Sequence, residues 1–183
     1  MTWDLPTSVE IDGKKYAIRN KCDYRVVLDV ICALKDESLD MNYRVMCALG
    51  IFYENLDNCK NMQKAVDEMM LIVNCGNKED SQDEHKPVLM DWEKDIGILA
   101  PPISRVLGYS VRSSENYTHY YDFIGAYSEI GECTFATVVS IRNKRAKGKP
   151  LESWEREFLT ENRDLVLLPH QLSQEEEEWL CMG

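Results

Sequence analysis

Long apolar runs are missing from this 183-residue chain: no window approaches the roughly 18 uninterrupted apolar residues a membrane-spanning helix needs. The longest apolar stretches, such as Ala65 to Val73, are broken by Asp67 and Glu68. The start, Met1-Thr2-Trp3-Asp4-Leu5-Pro6, lacks the basic region and apolar run of a secretory signal. A soluble, cytoplasmic protein with no membrane contact is therefore expected. Positive charge is also in deficit, with 21 Lys and Arg against 32 Asp and Glu, a net charge of −11. Generic coating of nucleic acid needs a cationic face, so that class is disfavoured, although a local basic patch is not.

Motifs that carry chemistry are equally scarce. G-x-x-x-x-G-K-[ST], G-x-G-x-x-G, G-x-S-x-G and H-E-x-x-H do not occur, so no phosphate cradle, nucleophile elbow or zinc helix is specified. The seven cysteines, Cys22, Cys32, Cys47, Cys59, Cys75, Cys133 and Cys181, are odd in number and contain no C-x-x-C pair. They read as reduced, small hydrophobes. His85, His119 and His170 stand far apart, and no metal or cofactor is expected. Asp91, Glu93 and Asp95 alternate along a helix and so point in different directions, which suits a helix start better than an acid pair. No enzyme is expected.

What is present is a globular composition, 44% hydrophobic and 29% charged. Val9 and Ile11 alternate with polar residues before Asp12-Gly13, and Tyr16 and Ile18 do so after it. Asp-Gly suits a type I′ turn, so a β-hairpin is predicted, its apolar face resting on helices. Helical spacing then predicts helices over Asp23–Lys35, Met41–Asn55 and Asn58–Cys75, with Gly76 as a C′ residue. Met41, Val45, Ala48, Leu49 and Phe52 form the inner side of the second. The charged stretch 77–88 reads as a linker, dividing 1–76 from a helical unit at 89–183 unless the two form one continuous domain. Asp91 is a candidate N-cap, and Pro101-Pro102 should break the helix it opens, Pro102 starting a second piece that ends near Gly108. Helices over Tyr117–Ile130, Thr134–Lys147 and Trp154–Leu167 follow, the last with Trp154, Phe158 and Leu165 inside. Ser173-Gln174-Glu175-Glu176 has capping-box spacing. The fold class is mainly α, a helical bundle with an N-terminal β-hairpin.

Two segments are candidate contact surfaces. Arg142, Lys144, Arg145, Lys147 and Lys149 place five cations and no anion at a helix end. They either complement the helix dipole or dock an acidic partner or a neighbouring copy. The acid-rich stretch from Leu151 to Gly183 supplies a matching surface within the same chain. Tyr117-Thr118-His119-Tyr120-Tyr121-Asp122-Phe123 is dense in rings. Such rings can form a binding surface, or Tyr120 and Phe123 can pack the core while His119 bonds locally.

The hairpin from Leu5-Pro6 to Ile18, the block Leu89-Met90-Asp91-Trp92-Glu93, the segment His119-Tyr120-Tyr121-Asp122-Phe123 and the stretch Phe135 to Asn162 follow one another in a familiar order. Together they resemble the bacteriophage "gene product fifteen" family over nearly the full chain. A Trp-Trp pair would be expected where Tyr120-Tyr121 stands. The resemblance implies a tail morphogenesis factor of long-tailed phages, a tail assembly chaperone in the bacterial host cytoplasm. Its expected partners are the tape-measure protein, other tail proteins and a second copy of itself, bound without catalysis. Candidate contact residues are His119, Tyr120 and Tyr121, with Arg142, Lys144, Arg145 and Lys147 for docking or self-association. The alternative is an acidic phage inhibitor occupying the nucleic-acid site of a host enzyme, suggested by the net charge and Glu175–Glu178.

Overall fold

The computed structural model describes residues 4–77 and 87–168. Strands β1 (Ser8–Ile11) and β2 (Lys14–Ala17) pair antiparallel, with Val9 opposite Tyr16 and Ile11 opposite Lys14. Asp12 and Gly13 take φ of 50° and 79°, the two positive values a type I′ turn requires. Val9, Ile11 and Tyr16 are buried, so the hairpin has the support that a lone two-stranded sheet lacks.

Eight helices follow among the described residues: α1 (Tyr24–Lys35), α2 (Met41–Phe52), α3 (Met62–Val73), α4 (Trp92–Leu107), α5 (Tyr120–Ser128), α6 (Thr134–Ala146), α7 (Ser153–Glu161) and α8 (Arg163–Val166). Short polar side chains start the first four by accepting the orphan amides of the first turn: Asp23 for α1, Asp40 for α2, Asn61 for α3 and Asp91 for α4. The architecture is mainly α with an N-terminal β-hairpin.

The third helix starts at Met62 rather than Asn58, because Asn58 takes a positive φ and Asn61 is the residue whose side chain caps. The helix expected over Trp154–Leu167 is two, parted at Asn162 (φ −127°, ψ 41°). Trp154 lies outside, bonded to Glu152, and Glu155 lies inside in its place. The expected linker core and the Ser173 capping box lie outside the described residues.

The expected break at Pro101-Pro102 does not occur, and α4 runs through both prolines. Proline at 101 removes the amide that would bond the Gly97 carbonyl. The Arg112 guanidinium fills that gap, donating to Gly97 O at 2.9 Å and Ile96 O at 3.2 Å. Pro102 meanwhile is buried on the inner side of α4. Arg112→Ala should therefore lower stability by about 1 kcal/mol, the net worth of an exposed hydrogen-bond set. In a Pro101→Ala background the loss should shrink, since alanine restores the missing backbone donor. Urea melts of the four-member cycle read the coupling directly.

The main core crosses the 77–88 segment, taking Val27, Phe52 and Met69 from one side and Leu99, Ile103 and Phe123 from the other. The Tyr24 and Phe123 rings stack at 4.2 Å between centroids. Main-chain bonds knit the same junction, Tyr24 N to Thr118 O at 3.0 Å and Tyr120 N to Cys22 O at 2.9 Å. A smaller cluster of Val138, Ile141 and Val166 joins α6 to α8.

Candidate partner-binding surfaces

The basic run at the end of α6 divides by depth. Arg142 is fully buried, and all five of its donors are used. Nη1 and Nη2 grip Asp95 at 2.6 and 2.9 Å, Nη1 also reaches Leu89 O, Nη2 reaches Leu165 O, and Nε reaches Val166 O. Asp95 accepts in addition from the Asp91 amide at 3.0 Å, so the start of α4 and the chain leaving α8 meet on one guanidinium. Arg142 is thus a structural clasp rather than a surface cation.

Lys144 is half-buried and binds both oxygens of Glu155, at 2.7 and 2.8 Å. Glu155 in turn closes the capping box of α7 through the Glu152 amide. The Lys144 ammonium, followed by that amide, holds the Glu155 carboxyl below its ordinary value. A depressed folded value means stabilisation that is present above about pH 4.3, the unfolded carboxyl value, and lost as pH falls through the folded one. Acid melts of Lys144→Met should show a weaker decline over that window than the parent. Of the seven candidate residues, this leaves Arg145 and Lys147 on the surface of the basic run, with Lys149 beside them. Arg145, Leu159, Thr160, Arg163 and Leu167 line a shallow groove of about 170 Å³.

The aromatic segment is also mostly interior. His119 and Tyr120 are buried and Tyr121 is half-buried. His119 Nδ1 accepts from Tyr121 N at 3.0 Å and so caps α5, leaving Nε2 to donate to Pro6 O at 3.0 Å. The Tyr120 hydroxyl donates to Val73 O, and burial pushes the Tyr121 phenol up to about 12. Of the two readings of this segment, the structure shows core packing with a locally bonded histidine. His119 and Tyr120, like Arg142, are committed internally and are withdrawn from the partner-facing set.

Helix α2 carries the surface that periodicity missed. Its inner side buries Ala48, Leu49 and Phe52, yet its outer side shows Tyr43, Met46, Cys47 and Gly50 at spacings of three, four and seven. Met41, expected inside, is 66% exposed, Tyr43 65% and Met46 58%. A helix apolar all round ordinarily lies buried on every side, and this one has a side open. The signal was in the sequence: Arg44 is the one charged residue of Met41–Phe52.

A cleft of about 440 Å³ between α1 and α4 is lined by Cys32, Lys35, Asp36, Asp91, Trp92 and Glu93. Burial, then Glu93, Asp29 and Asp91, raise the Cys32 thiol, the reverse of what a nucleophile needs. Among the described residues no group of three His, Cys, Asp or Glu side chains could hold a metal, and no helix is long and apolar enough to cross a membrane.

The described residues thus form an α-helical scaffold with an open apolar side on α2 and a basic lip at the end of α6. The family model for Bacteriophage Gp15 protein matches residues 1–168, and the chain belongs to that family. Membership makes it a phage protein of structural or morphogenetic type, from a family not known for catalysis. No curated protein and no solved structure matches the chain significantly.

Proposed function

We propose that this protein is a tail assembly chaperone that binds the tape-measure protein stoichiometrically and keeps it soluble in the host cytoplasm until tail subunits polymerise around it. The observation that carries the reading is the outer side of α2, where Met41, Tyr43 and Met46 stand exposed on a member of a phage morphogenesis family. A long helical client offers apolar stripes at the same three- and four-residue spacing, and helix-in-groove contact suits it. Methionine adapts to many such stripes because its thioether is flexible and polarisable. Cys47 and Gly50 leave room for a close helix approach. A net charge of −11 keeps a many-copy complex dispersed.

The rival, an acidic occupant of a nucleic-acid groove, needs its carboxylates outward at phosphate-like spacing. Asp95 and Glu155 are buried and neutralised instead.

Co-expression with the tape-measure protein is the test. The client should precipitate alone and remain soluble with its partner, and Tyr43→Glu with Met46→Glu should abolish the rescue without lowering the chaperone's own melting temperature. Unchanged client solubility with the parent protein would overturn the reading.

A further inference from the structure

The outer stripe of α2 is complementary to itself. Tyr43, Met46, Cys47 and Gly50 are exposed, and their spacing of three, one and three reads the same in both directions. Two α2 helices laid antiparallel about the midpoint of Met46 and Cys47 therefore set Tyr43 opposite Gly50, and Met46 opposite Cys47, twice over. Each large side chain meets a small one, which lets facing helices interdigitate. A Cβ on Gly50 would meet nothing within 4 Å, so the Tyr43 ring of another copy has room to lie against the backbone there.

Charge permits this pairing and opposes others. At −11 the chain repels its own copies, so a contact between them must avoid carboxylates. The stripe holds none, and Arg44 beside it is tied to Leu39 O at 2.8 Å. The two ends of α2 differ in sign. Asp40 caps the amino end, while the Arg19 guanidinium closes the carboxyl end on Gly50 O, Ile51 O and Tyr53 O at 2.8, 2.9 and 2.9 Å. The same antiparallel register sets Asp40 opposite Tyr53, and so beside Arg19, of the second copy. Glu54 and Asp57 at that end stand among Lys14 and Lys15, which offset them. A parallel pair would instead bring Asp40 to Asp40 and Tyr43 to Tyr43.

We propose that two copies of this chain pair through α2 in a two-fold antiparallel contact that covers Tyr43 and Met46 at rest. The pairing rests on the geometry of α2 alone. Joined to the client reading, it gives that site a resting state, from which a tape-measure helix must displace the second copy.

Sedimentation equilibrium of the full-length protein, without client, tests it. The mass should rise with concentration from one copy to two and stop there. Gly50→Leu should weaken the association about tenfold by filling the place of the Tyr43 ring. Its own melting temperature should hold or rise, since glycine is a poor helix residue and the space is open. Tyr43→Ala with Gly50→Leu exchanges large for small and should recover part of the association. Met46→Glu should weaken it as well, through a carboxylate at the two-fold axis. A monomer throughout overturns the proposal, as does a dimer indifferent to both Gly50→Leu and Met46→Glu, or a mass that climbs past two copies. A dimer that forms while client rescue fails removes the tape-measure reading and leaves the pairing standing.

Discussion

Arg142→Met is expected to lower the free energy of unfolding by about 3–5 kcal/mol, the cost of removing one partner from a buried ion pair. The side chain is 0% exposed, and so is that of Asp95. Methionine fills a similar volume but leaves a carboxylate in the interior without its countercharge. It also orphans the carbonyls of Leu89, Leu165 and Val166. Arg142→Lys should fare little better, since an ammonium cannot span five acceptors in the guanidinium plane. Asp95→Leu with Arg142→Met removes the stranded charge and should recover part of the loss, though not all, because the three carbonyls stay unpaired. Urea denaturation of the set reads this as a shift in midpoint at constant slope. A loss under about 1 kcal/mol for Arg142→Met would mean that water reaches the pair and screens it.

The same pair shows where sequence stops being informative. The basic run was legible as composition, but Arg142 and Asp95 are 47 residues apart, and no local pattern says that this one of five cations turns inward. Pro101-Pro102 failed in the same way: proline chemistry is local, whereas the guanidinium that tolerates it arrives from Arg112, beyond the end of the helix. By contrast, the hairpin was readable because Asp12-Gly13 needs nothing outside its own turn. The N-cap Asp91, whose side chain accepts from the Lys94 amide, is a local device of the same kind. Trp154 and Glu155 changed places because periodicity weighs hydrophobicity and cannot see that Lys144 neutralises the acid. The α2 surface was hidden by success: its inner residues fit a helix so well that the surplus apolar residues outside went uncounted.

These differences sort the charged surface. Two cations of the basic run are structural and the remaining ones cluster at one lip, so charge reversal across the whole run would confuse unfolding with lost binding. Arg145 and Lys147 can be altered without touching the clasp, whereas Arg142 cannot.

His119 is the second place where structure and contact must be separated. His119→Ala should lower stability by about 1–3 kcal/mol, adding a lost N-cap to a half-buried acceptor left unpaired. The ring holds two segments at once, taking the Tyr121 amide on Nδ1 and reaching Pro6 O with Nε2. It sits where the main chain of α1 meets that of α5, through Tyr24 to Thr118 and Tyr120 to Cys22. His119→Asn should fall between parent and alanine, because its short amide can still cap α5 but cannot reach Pro6. A role in partner contact predicts another pattern: melting temperatures unchanged by either variant, with client solubilisation lost. Thermal melts run beside the co-expression assay separate the two. The order parent, Asn, Ala in stability, with client binding failing only where the fold fails, places His119 in the frame that holds α2 outward rather than on the surface that grips.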